Sequence, residues 1–154
     1  MNVDDKTLKK GRYSGMVKLL VGHKGSGKTK QMVDMANSSL DSVNGSVVFI
    51  NKNQRLTCDL KYRIRVVCME DFQMITNVDE YIGFLYGIIS QDHDIEVIFI
   101  DSILKHADIK IENLEDFLAR IDAISKEYGM DFVVSLSADR DELVAVIDKY
   151  EVLN

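Results

Sequence analysis

Eight consecutive residues, Gly22-His23-Lys24-Gly25-Ser26-Gly27-Lys28-Thr29, hold side chains and spacings that favour one kind of chemistry. They satisfy G-x-x-x-x-G-K-[ST] at every constrained position and follow an apolar run, Met16 to Val21, that reads as a buried strand. The three glycines let the backbone turn tightly and aim successive N–H groups inward, and a helix beginning near Lys28 adds the positive end of its dipole. Such a concavity attracts phosphate. Lys28 is placed to reach a bound phosphate as a point charge, and the Thr29 hydroxyl offers one ligand to Mg²⁺. His23, Lys24, Ser26 and Lys30 complete the candidate phosphate-binding set. Further along, Val97-Ile98-Phe99-Ile100-Asp101 is an apolar run closed by an acid, and Asp101 is the candidate to support the same metal opposite Thr29.

These groups need elements that bring them together. Five apolar runs read as strands: Met16 to Val21, Val47 to Ile50, Ile64 to Met69, Ile95 to Ile100 and Phe132 to Leu136. Between them lie helical patterns at Lys28 to Leu40, Val78 to Ser90 and Leu114 to Tyr128, the last expected to be capped by Asn113 and closed by Gly129. A final helix is expected from an Asp139 cap, burying Leu143, Val146, Ile147 and Tyr150. Strands that are apolar throughout and alternate with helices predict a three-layer α/β sandwich with a mostly parallel five-stranded sheet. Ligands of such sheets gather at the carboxyl ends of the strands. That rule adds Asn51 to Asn53, Glu70 and Asp71, Ser102, and Ser135 to Ser137 to the candidates.

Composition narrows the partners. The chain has 154 residues, 46% hydrophobic, enough for one globular domain that buries roughly 70% of its unfolded surface. A net charge of −6 argues against binding nucleic acid or an anionic membrane through overall charge. The apolar runs are too short to span a bilayer, and the N-terminus lacks the apolar core of a signal peptide, so the expected location is the cytoplasm. Residues 1–15 form a flexible, mildly basic segment ahead of a domain covering 16–154. Between Lys52 and Arg65 a second basic stretch faces only Asp59; it either binds an anion or is simply solvated. Cys58 and Cys68 belong to no metal-binding pattern, and reduced thiols are expected.

The order of these parts resembles the ATPase core of the RecA-like P-loop NTPases over roughly residues 16–150. The resemblance rests on the phosphate loop, the strand ending Phe49-Ile50-Asn51-Lys52-Asn53, the strand ending Met69-Glu70-Asp71, the strand ending Phe99-Ile100-Asp101-Ser102 and the strand ending Ser135-Leu136-Ser137. It implies ATP and Mg²⁺ as ligands, with Gly22 to Lys30 holding the nucleotide and Thr29 and Asp101 the metal. Catalytic roles would fall to Lys28, Asn53, Glu70 and Ser137. Where the family places a water-activating glutamate, this chain has Asn53, which orients a water but cannot take its proton. Glu70 or Asp71 would then supply the carboxylate. Ser137 stands at or near the family's glutamine switch.

The resemblance therefore implies ATP hydrolysis that is slow or dependent on a partner, with Arg55, Arg63 or Arg140 completing a site in a homo-oligomer or protein complex. A nucleotide-responsive binding module without turnover is the main alternative. A small-molecule kinase would need an acceptor pocket. A GTPase would need an Asn-Lys-x-Asp motif, and Asn51-Lys52 lacks the aspartate. The DNA-gripping loops of recombinases find no counterpart.

Overall fold

A computed structural model of the chain describes residues 13–53 and 59–154. The charges of the basic lead-in from Asp4 to Arg12, together with Arg55 and Cys58, lie outside the described residues. The elements run β1 (Val17–Gly22), α1 (Lys28–Ser39), β2 (Ser46–Asn51), β3 (Arg65–Cys68), α2 (Val78–Gln91), β4 (Ile95–Ile100), α3 (Ile111–Tyr128), β5 (Asp131–Ser137), α4 (Val144–Ile147) and β6 (Glu151–Val152). Short 3₁₀ turns follow β3, β4 and β5, at Met69–Asp71, Ile103–Lys105 and Arg140–Leu143.

The sheet has the order β3-β2-β4-β5-β1-β6, and every pairing is parallel. Continuous apolar strands follow from cover on both faces. Along β2, Val47 and Phe49 pack towards α1 with Met32, Val33 and Ala36. Val48 and Ile50 point the other way, into a core built with Tyr81 and Leu85 of α2 and Phe117 and Ile121 of α3. Each fully buried side chain of this kind stabilises the fold by about 1.5 to 3 kcal/mol. Phe49 and Phe99 stack across the β2–β4 pair at 6.1 Å between centroids.

Connectivity places the crevice. From β1 the chain passes over two strands to β2, then moves outward to β3, and from there returns to β4 and β5. The crossovers therefore put α1 on one face and α2 and α3 on the other. Chains leaving β1, its neighbour β5 and the next strand, β4, diverge at their carboxyl ends, which is where open α/β sheets bind ligands.

Three expectations are corrected. The sheet has six strands rather than five, because the tail turns back as β6 beside β1, pairing Lys18 with Glu151 and Leu19 with Val152. The Asn154 side chain prolongs that pairing by accepting from the Val21 N–H at 3.0 Å. The expected last helix is accordingly cut to a 3₁₀ turn and the four residues of α4. Leu143 and Val146 are buried as the pattern required. In α3, the helix begins at Ile111, earlier than expected: Asn113 sits in its first turn and accepts the Lys110 N–H at 3.2 Å. Gly129 closes it in the left-handed region, φ 66°. Among the described residues no helix is long and apolar enough to cross a membrane.

Candidate functional site

The loop after β1 shows why its glycines are needed. Gly25 and Gly27 have φ of 83° and 87°, a region that costs an L-residue about 1 to 2 kcal/mol. A Cβ on Gly22 would lie 2.7 Å from Ser26 Oγ, so the loop closes only around a bare backbone. The Ser26 N–H donates to the His23 carbonyl at 3.1 Å, and the Gln31 N–H to Gly27 at 3.1 Å as α1 begins. Outside the loop, His23 Nδ1 meets Asp139 Oδ1 at 2.6 Å, which ties the loop to the chain leaving β5. Asp139 makes no side-chain cap of the turn that follows it.

Lys28 is buried, 5% exposed, and its ammonium curls over the loop to donate to the His23 carbonyl at 2.6 Å and to Ser26 Oγ at 3.3 Å. No carboxylate stands within ion-pair distance of it among the described residues. Burial lowers its pKa from the usual lysine value; Asp101 opposes that shift and Lys105 adds to it. An ammonium in this position is stabilised by an anion that enters the loop.

Beside it, three strand ends are joined through side chains. Thr29 Oγ1 donates to Asp101 Oδ2 at 3.0 Å, and Ser135 Oγ donates to Asp101 Oδ1 at 2.7 Å. Ser135 Oγ also accepts the Ser102 N–H at 2.7 Å, fixing Ser102 in its left-handed conformation of φ 58°. Asp101 and Ser135 are 5% and 0% exposed. Hard oxygens from Thr29 and Asp101, already aimed at each other, form a donor set of the kind Mg²⁺ prefers.

The other wall of the crevice comes from β2 and β3. A cavity of about 590 Å³ is lined by Lys24, Thr29 and Asp101 on one side and by Asn51, Asn53 and Glu70 on the other, with Lys52, Ser102 and Lys105 between. That volume lies within the usual range for small-molecule sites. Lys24, Lys28, Lys52 and Lys105 set four positive charges around it against the carboxylates of Glu70 and Asp101, in a chain whose net charge is −6. Asn51 is 3% exposed, and neither its Nδ2 nor its Oδ1 has a hydrogen-bond partner. Leaving such an amide buried and unpaired costs about 1 to 3 kcal/mol.

The sequence candidates therefore divide. Thr29, Lys24, Asn53, Glu70 and Asp101 line one cavity, and Lys28 lies beneath the adjoining loop. Lys30 turns outward to Asp34 at 3.0 Å, and Ser137 pairs in register with Gly22 outside the cavity lining. Arg63 is exposed, and Arg140 donates to the Asn154 carbonyl at 2.7 Å. Sequence reasoning named Ser135 within the strand end Ser135 to Ser137 but passed over its bond to Asp101, although a polar residue inside the run Phe132 to Leu136 was a visible break in its pattern. It passed over Lys105 and His106 too, which no motif marks.

No family model matches the chain, and no curated protein matches it. Among solved structures it is similar to a KaiC-like protein from the hyperthermophilic archaeon Pyrococcus horikoshii OT3, with a TM-score of 0.56 and 18% identity. The match covers 79% of this chain and 61% of that one, so the chain spans less than two thirds of the length of that protein. What the two share is the fold, an α/β sandwich with a parallel sheet between helices.

Proposed function

We propose that the chain binds Mg-ATP in the crevice between the loop after β1 and the ends of β4, β2 and β3, and hydrolyses it slowly unless a partner completes the site. The observation that carries this reading is Lys28, a buried ammonium with no carboxylate partner, wrapped in a glycine loop whose N–H groups suit phosphate. Loop residues 22 to 29 hold the phosphates. Thr29 and Asp101 hold Mg²⁺, which would neutralise charge on the transferring phosphoryl group.

Turnover is slow on this reading because the end of β2 offers amides, Asn51 and Asn53, and the carboxylate of the lining besides Asp101, Glu70, follows β3. An arginine from a second copy or another protein would speed the reaction, by about 10³ to 10⁵ where such groups operate. The same amides favour a second reading, in which ATP orders the crevice and alters a protein contact without turnover.

Isothermal titration with Mg-ATP and Mg-GTP tests the main reading, followed by phosphate release at several protein concentrations. ATP binding that falls roughly 10- to 100-fold in Lys28→Ala is the expected result, since a charge-assisted hydrogen bond contributes about 1.5 to 3 kcal/mol. Equal binding by the variant refutes it. Binding without phosphate release at any concentration transfers the case to the second reading.

A further inference from the structure

A second cavity opens off the first and shares three of its residues, Lys52, Glu70 and Lys105. Its volume is about 210 Å³. At about 30 Å³ per water this is room for a ligand of roughly seven to ten non-hydrogen atoms. Phe72 and Ile75 give it an apolar side, and Gln73 and His106 add polar groups at its rim and floor. Neither Lys52 nor Lys105 has an ion-pair partner among the described residues.

His106 is the informative group. It is 1% exposed and lies in the loop from Ser102 to Asp108, where Ser102, Ala107 and Asp108 are all left-handed. Its Nδ1 is 3.1 Å from the hydroxyl of Tyr81, which is wholly buried. Among the described residues that hydroxyl has no other acceptor, so it is assigned as donating to Nδ1, which leaves the ring proton on Nε2. Nε2 makes no hydrogen bond of ordinary geometry, and the Asp101 main chain is the acceptor whose influence on the ring opposes burial by favouring its charged form. Two lysines without an ion-pair partner among the described residues, beside a buried imidazole in the cavity lining, match a ligand with oxygen acceptors and negative charge.

Glu70 decides what that ligand does. It follows β3, on the wall common to the two cavities, so its carboxylate serves a nucleophile entering from the smaller cavity at least as directly as a water in the larger one. We propose that the smaller cavity seats a small anionic molecule with a free hydroxyl, a hydroxy acid or polyol phosphate, which accepts the terminal phosphoryl group of the nucleotide. This rests on the nucleotide reading above and replaces water as its acceptor. The acceptor oxygen forms a bond to the γ-phosphorus, and the bond from that phosphorus to the β,γ-bridging oxygen breaks. The electron pair leaves on the nucleoside diphosphate, and the hydroxyl proton passes to Glu70.

The test uses the full chain with Mg-ATP, alone and with a mixture of glycerate and glycerol 3-phosphate, with ADP, free phosphate and new phosphoesters followed by ³¹P NMR. Binding of Mg-ATP is titrated in parallel. The expected result is ADP in excess of free phosphate, with a matching new phosphoester, only when the mixture is present. Gln73→Trp, which narrows the smaller cavity from its exposed rim, lowers that product at least tenfold. ATP that binds but gives only equal ADP and phosphate, or no ADP, with the mixture present overturns the acceptor proposal and leaves the nucleotide reading standing. So does a phosphoester yield that Gln73→Trp leaves unchanged. Failure of ATP to bind overturns both.

Discussion

The two walls of the crevice differ in how far they are finished. On the wall formed by β1, β5 and β4, Thr29, Asp101, Ser135 and the Ser102 N–H satisfy one another at 2.7 to 3.0 Å. On the wall formed by β2 and β3, Asn51 is buried with both amide atoms unpaired, and His106 behind it has a bare Nε2. On the reading proposed above, the finished wall would receive phosphate and metal without rearranging, which is what preorganisation requires. The unfinished wall carries polar groups at an energetic cost that a ligand or an ordered water relieves. Proteins keep such groups where function outweighs stability.

Three measurements sharpen or break this contrast. The largest effect is expected from pH and belongs to the unfinished wall. Burial pushes the pKa of His106 down from 6.5 to about 4, opposed by the Asp101 main chain and reinforced by Lys52 and Lys105. Its folded pKa lies below its unfolded one, so the unfolded state binds the extra proton. The corresponding stability is complete above pH 6.5 and is lost as pH falls towards 4. At about 1.4 kcal/mol per unit this amounts to up to about 3 kcal/mol. Urea unfolding across that window should show a shallower decline for His106→Gln than for the parent. Parallel curves would mean that the ring is not buried neutral, and the contrast would lose its second member.

The next effect concerns the finished wall. Ser135→Ala removes one hydroxyl but strands two groups, the Ser102 N–H in its left-handed residue and Oδ1 of Asp101. A loss of about 2 kcal/mol is expected, within the range for unsatisfied buried groups. A loss below 0.5 kcal/mol in urea unfolding would show that the network does not hold this wall in shape.

How much of this was legible in the sequence follows the same division. Gly22 to Thr29 and Asp101 were readable because their spacing is dictated by phosphate geometry, and the strands because a sheet covered on both faces leaves few polar positions, Lys18, Glu96 and Ser135 among them, to confuse the pattern. The end of the chain was misread. Leu143, Val146, Ile147 and Tyr150 keep helical spacing, yet the backbone leaves the helix after Ile147 because β1 offers an open edge on which Glu151 and Val152 pair. Local periodicity carries no information about an edge formed by residues 17 to 22. The unfinished wall was legible only in part. Asn53 and Glu70 were flagged by their place after strands, but that Asn51 is the buried, unpaired amide depends on which side chain turns inward at the last residue of β2. His106 depends on a loop whose left-handed residues, Ala107 and Asp108, no glycine announces.

The smallest effect is the one that discriminates best, because its sign is opposite on the two walls. If Asn51 were a structural residue, replacing it would destabilise the fold as Ser135→Ala does. With both amide atoms buried and unpaired, however, Asn51→Leu exchanges an uncompensated polar group for apolar surface of similar size. The variant should be more stable by about 1 kcal/mol. It should at the same time lose turnover, since leucine can neither donate to a phosphate oxygen nor hold a nucleophile, while its affinity for Mg-ATP stays within about threefold because the phosphate loop is untouched. Chemical unfolding and single-turnover rates on the one variant read both quantities. A gain in stability joined to a loss of rate fits a residue kept for the reaction; a loss of stability would mean that Asn51 is already satisfied in the resting protein and that the two walls are finished alike.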